Sequence, residues 1–156
     1  MTAIQTLNKV VELASKRRDE AVAHQAQLHR EMQLAQDQLQ QLQSYADEAQ
    51  QRWATRCSTG VDGNMMQHHR QFMNKIEHAV DFQRSVIAQR QAQIDQAVKQ
   101  VQAAERDVAG LRKYTDGKLQ ALLLQAQRQE QKQTDELALA IHLRQSRTMS
   151  SMTKGM

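Results

Sequence analysis

Apolar residues recur in alternating steps of three and four over the first 56 positions of the chain. Thirteen of the fifteen positions in this repeat, which runs from Ile4 to Trp53, are apolar. A seven-residue apolar repeat of this length is typical of an α-helix in a left-handed coiled coil. Arg18 and Gln25 interrupt it, and polar residues in such a seam commonly fix register. The pattern predicts a helix over 1–56 with a seam that includes Leu7, Val11, Leu28, Met32, Leu39 and Leu42.

Turn-forming residues replace helix formers between positions 57 and 64, where two glycines stand among Ser, Thr, Asp and Asn. Gly60 can adopt the left-handed conformation that ends many helices. Asn64 can accept the free N–H groups at the start of the next helix. We therefore predict a hairpin bend over 57–64.

A second repeat starts at Met66, and twelve of its seventeen positions are apolar. It weakens at Thr115 and Lys118, beside Gly110 and Gly117, so we expect the paired part of this helix to cover 65–117. A short bend makes the two helices antiparallel, with residue i facing roughly residue 121 − i. The predicted fold is all-α, a long antiparallel two-helix coiled-coil hairpin whose second helix is longer than the first. Its second seam includes Ile87, Ile94, Val101 and Val108.

Beyond the paired region we expect an unpaired basic helical extension over 118–146 and a disordered tail over 147–156. Residues 1–111 hold 13 Lys and Arg against 13 Asp and Glu, whereas residues 112–156 hold 8 against 4. Such a basic segment can face solvent, or meet nucleic acid, acidic lipid or an acidic protein surface. Tyr114 is its only aromatic residue for base stacking, so we expect no nucleic-acid partner.

Composition supports long helices rather than a compact core. The chain has no Pro, 27 Gln, 3% aromatic residues and a mean hydropathy of −0.75. Its longest apolar run, Ala121 to Leu124, is far short of the roughly 20 residues of a membrane span. One Cys and no recognisable signal peptide lead us to expect a cytoplasmic protein.

Sequence motifs for chemistry are lacking. Metal-binding histidines on a helix lie three or four residues apart, and none of the six histidines has such a partner. Cys57 lies at the bend without a candidate base, and no Walker loop, HExxH or Gly-x-Ser-x-Gly motif occurs. We therefore predict no catalytic residue, metal or cofactor, and no enzymatic activity.

Two groups of apolar residues exceed what a two-stranded seam requires. Phe72, Ala79 and Val86 recur every seven residues beside the second seam, with Phe82 close by. They form either a broadened core or a face for a partner protein. The basic extension holds a second surplus, which consists of Leu119, Leu122, Leu123, Leu124, Leu137, Leu139, Ile141 and Leu143.

One ordered set of residues along the chain matches a known family pattern: Leu7 to Leu13, Asp19-Glu20-Ala21, Gln38-Leu39, Leu42, Tyr45, Gly60, Gln71-Phe72, Ile76 and Ala79. With these residues the chain resembles, as far as about residue 145, the FliJ family of bacterial flagellar export proteins. The resemblance implies a stalk-like component of the flagellar type III export apparatus that is similar to the γ stalk of rotary ATPases. A structural coiled-coil spacer or dimerisation rod is the alternative reading.

The resemblance also implies partners and a location. The partners are the hexameric export ATPase FliI, its regulator FliH, the export gate protein FlhA and export chaperones. The location is the cytoplasm, peripherally at the inner membrane, with no membrane span. We expect the free chain to be a monomer.

Carried over residue by residue, the gate-binding face is Phe72, Ile76, Ala79 and Gln83. The ATPase-binding end lies at the open end of the hairpin. It is predicted to include Val10, Leu13, Lys118, Leu119, Leu122, Leu123, Arg128 and Lys132.

Overall fold

The computed structural model describes residues 2–155 and consists of two α-helices. Helix α1 covers Ala3–Cys57 and helix α2 covers Gly63–Lys154. They pack against each other in antiparallel orientation, since residues late in α1 contact residues early in α2. The predicted all-α hairpin with a longer second helix is therefore confirmed.

The chain divides into two compact units. The central unit is Ala14–Asp107, which includes the bend. The terminal unit combines the N-terminal residues up to Leu13 with the chain from Val108 onward.

Local side-chain contacts define the start of each helix. At the start of α1, the Thr2 hydroxyl accepts from the Gln5 N–H at 3.2 Å and the Gln5 side chain accepts from the Thr2 N–H at 3.1 Å, a reciprocal capping box. At the start of α2, an Asp62 carboxylate oxygen accepts from the Met65 N–H at 2.8 Å. The prediction that Asn64 caps α2 is therefore wrong. Asp62 is the residue whose side chain reaches the third N–H of the helix.

The bend depends on one left-handed residue. Gly60 has a φ of 100°, as the sequence predicted for it. The Gly60 and Thr59 amides donate to the carbonyls of Cys57 and Arg56, at 3.3 and 3.2 Å, which closes the last turn of α1. A side chain is strongly disfavoured at this φ, so glycine is required here for conformational reasons.

The seam of the central unit is an apolar cluster between the helices. Leu28 and Met32 of α1 pack with Ile94 and Ala97 of α2, and all four are buried. Half-buried residues flank this cluster, among them Ile87 and Val98. Ala35, Ile76 and Val101 are buried as well. Leu39 and Leu42 are half-buried.

Three polar or aromatic contacts across the helices define the register. Arg90 pairs with Glu31 at 3.5 Å, and the Gln83 amide donates to Gln38 Oε1 at 3.1 Å. The rings of Trp53 and His69 stack with centroids 4.2 Å apart. The residue numbers of these pairs sum to 121 or 122, which agrees with the predicted 121 − i relation.

In the terminal unit, burial ends at Thr115. Leu7, Val11 and Leu111 are half-buried, whereas Val108 and Thr115 are 2% and 7% exposed. The seam repeat was expected to weaken at Thr115, but this residue is buried. Its hydroxyl donates to the Leu111 carbonyl at 2.8 Å, and this bond within the helix lets a polar residue be buried.

Two further expectations differ from the structure. Met66, predicted to open the second seam, is 50% exposed, and the neighbouring Met65 is half-buried instead. The tail over 147–156 was predicted to be disordered, but α2 continues to Lys154. No Gly or Pro interrupts residues 147–154, and the Thr148 and Thr153 hydroxyls bond to carbonyls one turn earlier. Met156 lies outside the described residues.

We expect Leu28→Ala to lower the free energy of unfolding by about 2–5 kcal/mol, because it removes buried methyl groups from the central cluster. The matched control is Leu34→Ala on the same helix, where the side chain is 60% exposed. That change should cost no more than about 0.5 kcal/mol. Chemical denaturation followed by circular dichroism measures both, and equal effects would contradict the assigned seam.

Alanine substitutions should have opposite signs at two glycines. Gly60→Ala should destabilise the fold by roughly 1–2 kcal/mol, because alanine must adopt a positive φ there. Gly110→Ala should stabilise it by about 0.5–1 kcal/mol, because Gly110 lies inside α2 and an added Cβ meets nothing within 4 Å. Thermal melting of the two variants compares the signs directly.

Candidate partner-binding surfaces

An aromatic pair joins the two helices on the surface of the central unit. Tyr45 of α1 and Phe72 of α2 meet edge to face, with ring centroids 5.8 Å apart and an angle of 75° between the planes. The two residues remain 48% and 38% exposed. This geometry is favourable for two rings, and it leaves both with apolar surface free for a partner.

The four residues predicted for the gate-binding face separate into two groups. Phe72 is exposed and Ala79 is half-buried, so both present surface. Ile76 and Gln83 are 7% and 9% exposed, because both occupy seam positions facing α1. In the closed hairpin these two side chains leave little of their own surface free for a partner.

The stripe beside the second seam is likewise mixed. Ala79 and Val86 are half-buried at the edge of the seam, whereas Phe82 is 70% exposed. The stripe therefore belongs partly to a broadened core and partly to the surface.

Sequence reasoning did not assign Tyr45 to this surface. Its position in the sequence could have assigned it. Tyr45 lies between the seam residues Leu42 and Ala46, and in the predicted register it faces position 76, one helical turn from Phe72. Tyr45 also borders a groove between the helices that is lined by Gln38, Gln41, Leu42 and Gln83. The surface is thus built from both helices rather than from α2 alone.

The terminal unit carries a second exposed apolar surface. Every described residue after Thr115 is exposed. The predicted ATPase-binding leucines follow one another along α2, with Leu119 43%, Leu122 48% and Leu123 57% exposed. Val10 and Leu13 of α1 are 38% and 59% exposed.

Basic residues accompany these leucines. Lys118, Arg128 and Lys132 are all exposed, and the Lys118 ammonium lies 5.6 Å from the centroid of the Tyr114 ring. That distance suits a cation–π contact, which leaves the charge accessible to an acidic partner. Further along α2, Leu137, Leu139, Ile141 and Leu143 are 47–64% exposed.

The histidines and acidic residues form no recognisable metal site. Within residues 2–155, no group of three or more His, Cys, Asp or Glu side chains is placed to hold an ion. His69 is instead stacked on Trp53, and Cys57 is exposed at the end of α1. In the described part of the chain, neither helix contains a stretch apolar enough to cross a bilayer.

Comparison with known proteins finds matches to flagellar proteins. A family model described as "Flagellar FliJ protein" matches residues 3–147. The chain is also similar to a flagellar FliJ protein of Salmonella typhi, with 28% identity over 136 residues. That match covers 87% of this chain and 90% of the Salmonella protein. No solved structure matches the chain.

Substitutions should distinguish the seam from the surface at neighbouring positions. We expect Ile76→Ala to cost about 2–5 kcal/mol of folding free energy, because the side chain is buried. Phe72→Ala should cost less than Ile76→Ala, because the ring is already 38% exposed; its edge-to-face contact contributes about 0.5–1.5 kcal/mol beyond the area that the ring buries. Urea denaturation measures both, and a larger loss at Phe72 than at Ile76 would show that the exposed ring belongs to the core.

Proposed function

The chain belongs to the flagellar FliJ family and is a component of the flagellar protein export apparatus, and on that premise we propose that it links the export ATPase to the membrane export gate. In this proposal the chain acts as a non-catalytic, stalk-like coiled coil. One surface binds the ATPase ring and promotes its assembly and activity. The other surface binds the gate.

The observation that carries this proposal is the exposed apolar and basic segment of the terminal unit. Leu119, Leu122 and Leu123 present apolar surface over little more than one helical turn, and Lys118 lies beside them. Contiguous exposed apolar residues on a protein surface are a common sign of a binding site. The neighbouring positive charges suit acidic residues on the partner, and we assign this segment to the ATPase hexamer.

The gate-binding surface is supported by the aromatic pair. Phe72 and Ala79 come from the family resemblance, and the contact with Phe72 adds Tyr45 from α1. Aromatic side chains are frequent anchors at protein interfaces, because they bury large areas with few rotatable bonds. In our proposal the gate protein contacts Phe72, Ala79 and Tyr45, while Ile76 and Gln83 stay within the hairpin.

Family membership supports the proposal of further partners. We propose that the chain works with the ATPase regulator FliH and handles export chaperones. We also propose that it is cytoplasmic, associates peripherally with the inner membrane at the flagellar base and is monomeric when free. A coiled-coil spacer or dimerisation rod explains less, because such a rod has no need of the exposed leucines after Thr115.

Two full-length variants test the proposal by affecting opposite partners. The first replaces Leu119, Leu122 and Leu123 with Ser, and the second combines Phe72→Ala with Ala79→Asp. We expect the leucine variant to lose stimulation of the organism's export ATPase while still binding the purified cytoplasmic part of the gate protein. The second variant should stimulate the ATPase normally and bind the gate at least about tenfold more weakly, the loss expected when an interface anchor is removed.

Each variant serves as the control for the other. ATPase stimulation is measured as phosphate release at several salt concentrations, and gate binding by calorimetry. Added salt should weaken the ATPase contact in part, because screening reduces the charged contribution and leaves the apolar one. Full stimulation by the leucine variant would show that this segment does not bind the ATPase.

A further inference from the structure

We propose that Gln83 locks the register of the two helices, and that it supports gate binding through this register rather than by touching the gate. The register claim stands on the contacts of the central unit alone. Its consequence for gate binding rests on the proposed function.

The short bend between Cys57 and Gly63 restricts the alignments of the two helices, but the apolar seam does not select one of those that remain open when the helix ends beside the bend unwind. Its α1 positions repeat Ala, Leu and Met, and its α2 positions repeat Ile, Val and Ala. A slip of one heptad would again place apolar residues against apolar residues. Coiled coils of this kind obtain a unique register from polar residues that find a partner in only one alignment.

Gln83 is such a residue. Its side chain is buried at the seam, and its amide nitrogen donates to the Ala35 carbonyl at 2.9 Å and to Gln38 Oε1 at 3.1 Å. Ala35 is itself only 4% exposed, and its short side chain leaves the backbone carbonyl within reach of the amide. In the described part of the chain, no buried side-chain nitrogen or oxygen lacks a hydrogen-bond partner.

A slip of one heptad removes this arrangement in either direction. Seven residues before and after Ala35, the α1 seam holds Leu28 and Leu42. Either leucine would cover the α1 backbone with a bulky side chain, so the Gln83 amide would lose the carbonyl that accepts its 2.9 Å hydrogen bond. The same slip replaces Gln38 by Glu31 or Tyr45, and neither side chain restores the bond to the backbone. The net value of one such hydrogen bond corresponds to a roughly 2- to 12-fold bias toward the native register.

Other polar residues contribute less to the selection of one register. Arg90 pairs with Glu31 across the helices, but both side chains are more than a third exposed, and such ion pairs are weak. Arg18, which the sequence suggested as a register residue, pairs with Asp19 on its own helix at 3.0 Å. Among the polar residues at the seam, Gln83 is therefore the best placed to select between the alignments that the bend permits.

The register in turn assembles the aromatic surface. A slip of one heptad shifts one helix past the other by about 10 Å, at 1.5 Å per residue. The rings of Tyr45 and Phe72, now 5.8 Å apart, would no longer meet. Gln83 thus acts as a positioning residue for a surface to which it contributes almost no exposed area.

The test measures the register directly in the full-length chain. Cys57→Ser removes the native thiol. Ser44→Cys and Ala88→Cys then supply attachment points for spin labels at two exposed positions on opposite helices of the central unit. Gln83→Leu removes the amide and keeps an apolar seam. The matched control is Gln25→Leu, the same change at a half-buried seam position of α1.

We expect one distance between the labels in the parent chain and in the control. Gln83→Leu should add a second distance, displaced by up to about 10 Å, while its helicity and melting temperature stay equal or rise. Ala35→Leu should produce the same second distance, because it covers the accepting carbonyl. A single unchanged distance in Gln83→Leu would overturn the register lock.

Gate binding by the same variants distinguishes the two parts of the inference. If Gln83→Leu slips and binds the gate less tightly than Gln25→Leu does, both parts are supported. Weaker binding with an unchanged register would mean that Gln83 touches the gate, which overturns the positioning role. If gate binding survives both Gln83→Leu and the Phe72→Ala, Ala79→Asp variant, the proposed gate surface fails, while the register result stands by itself.

Discussion

The heptad repeat is the constraint on which the rest of this structure depends. A chain with 3% aromatic residues and no proline has few large apolar side chains with which to build a compact core. Its stability therefore comes from one narrow stripe of apolar residues on each of the two helices. In the central unit, Leu28, Met32, Ile94 and Ala97 are buried in that stripe. Residues outside the stripe are left to solvent or to other proteins, which ties the protein's binding surfaces directly to its folding pattern.

The same constraint explains what could be predicted from the sequence. The seven-residue period predicts which positions are buried, and the short bend predicts which positions face each other. The predicted pairing of residue i with residue 121 − i therefore agrees to within about one residue with the observed pairs Arg90–Glu31 and Trp53–His69. Hydrogen bonds formed by particular side chains do not follow from the period. The cap formed by Asp62 and the buried hydroxyl of Thr115 were missed for that reason.

The surface was harder to predict than the seam. Resemblance to the family put four residues on one face, but a resemblance reports which positions matter and not how each one acts. The seam period already placed Ile76 and Gln83 at core positions, and the structure buries both. Tyr45 was not assigned to this face, although the predicted register already places it within a turn of Phe72; the ring contact between them appears only in the structure. The proposed gate surface combines residues of both helices, so the repeat of one helix does not identify it.

A buried glutamine in an otherwise apolar seam also bears on how such a protein can bind several partners. Leucine at position 83 would fit the apolar pattern, but a uniformly apolar seam tolerates more than one alignment. The amide of Gln83 donates to the Ala35 carbonyl in the native alignment, and in our proposal this bond favours the one alignment that forms the proposed gate surface. The leucines after Thr115 need no such lock, because they lie on one helix and keep their spacing in every register. The two proposed binding surfaces therefore differ in kind: one depends on how the helices align, and the other only on α2 being helical.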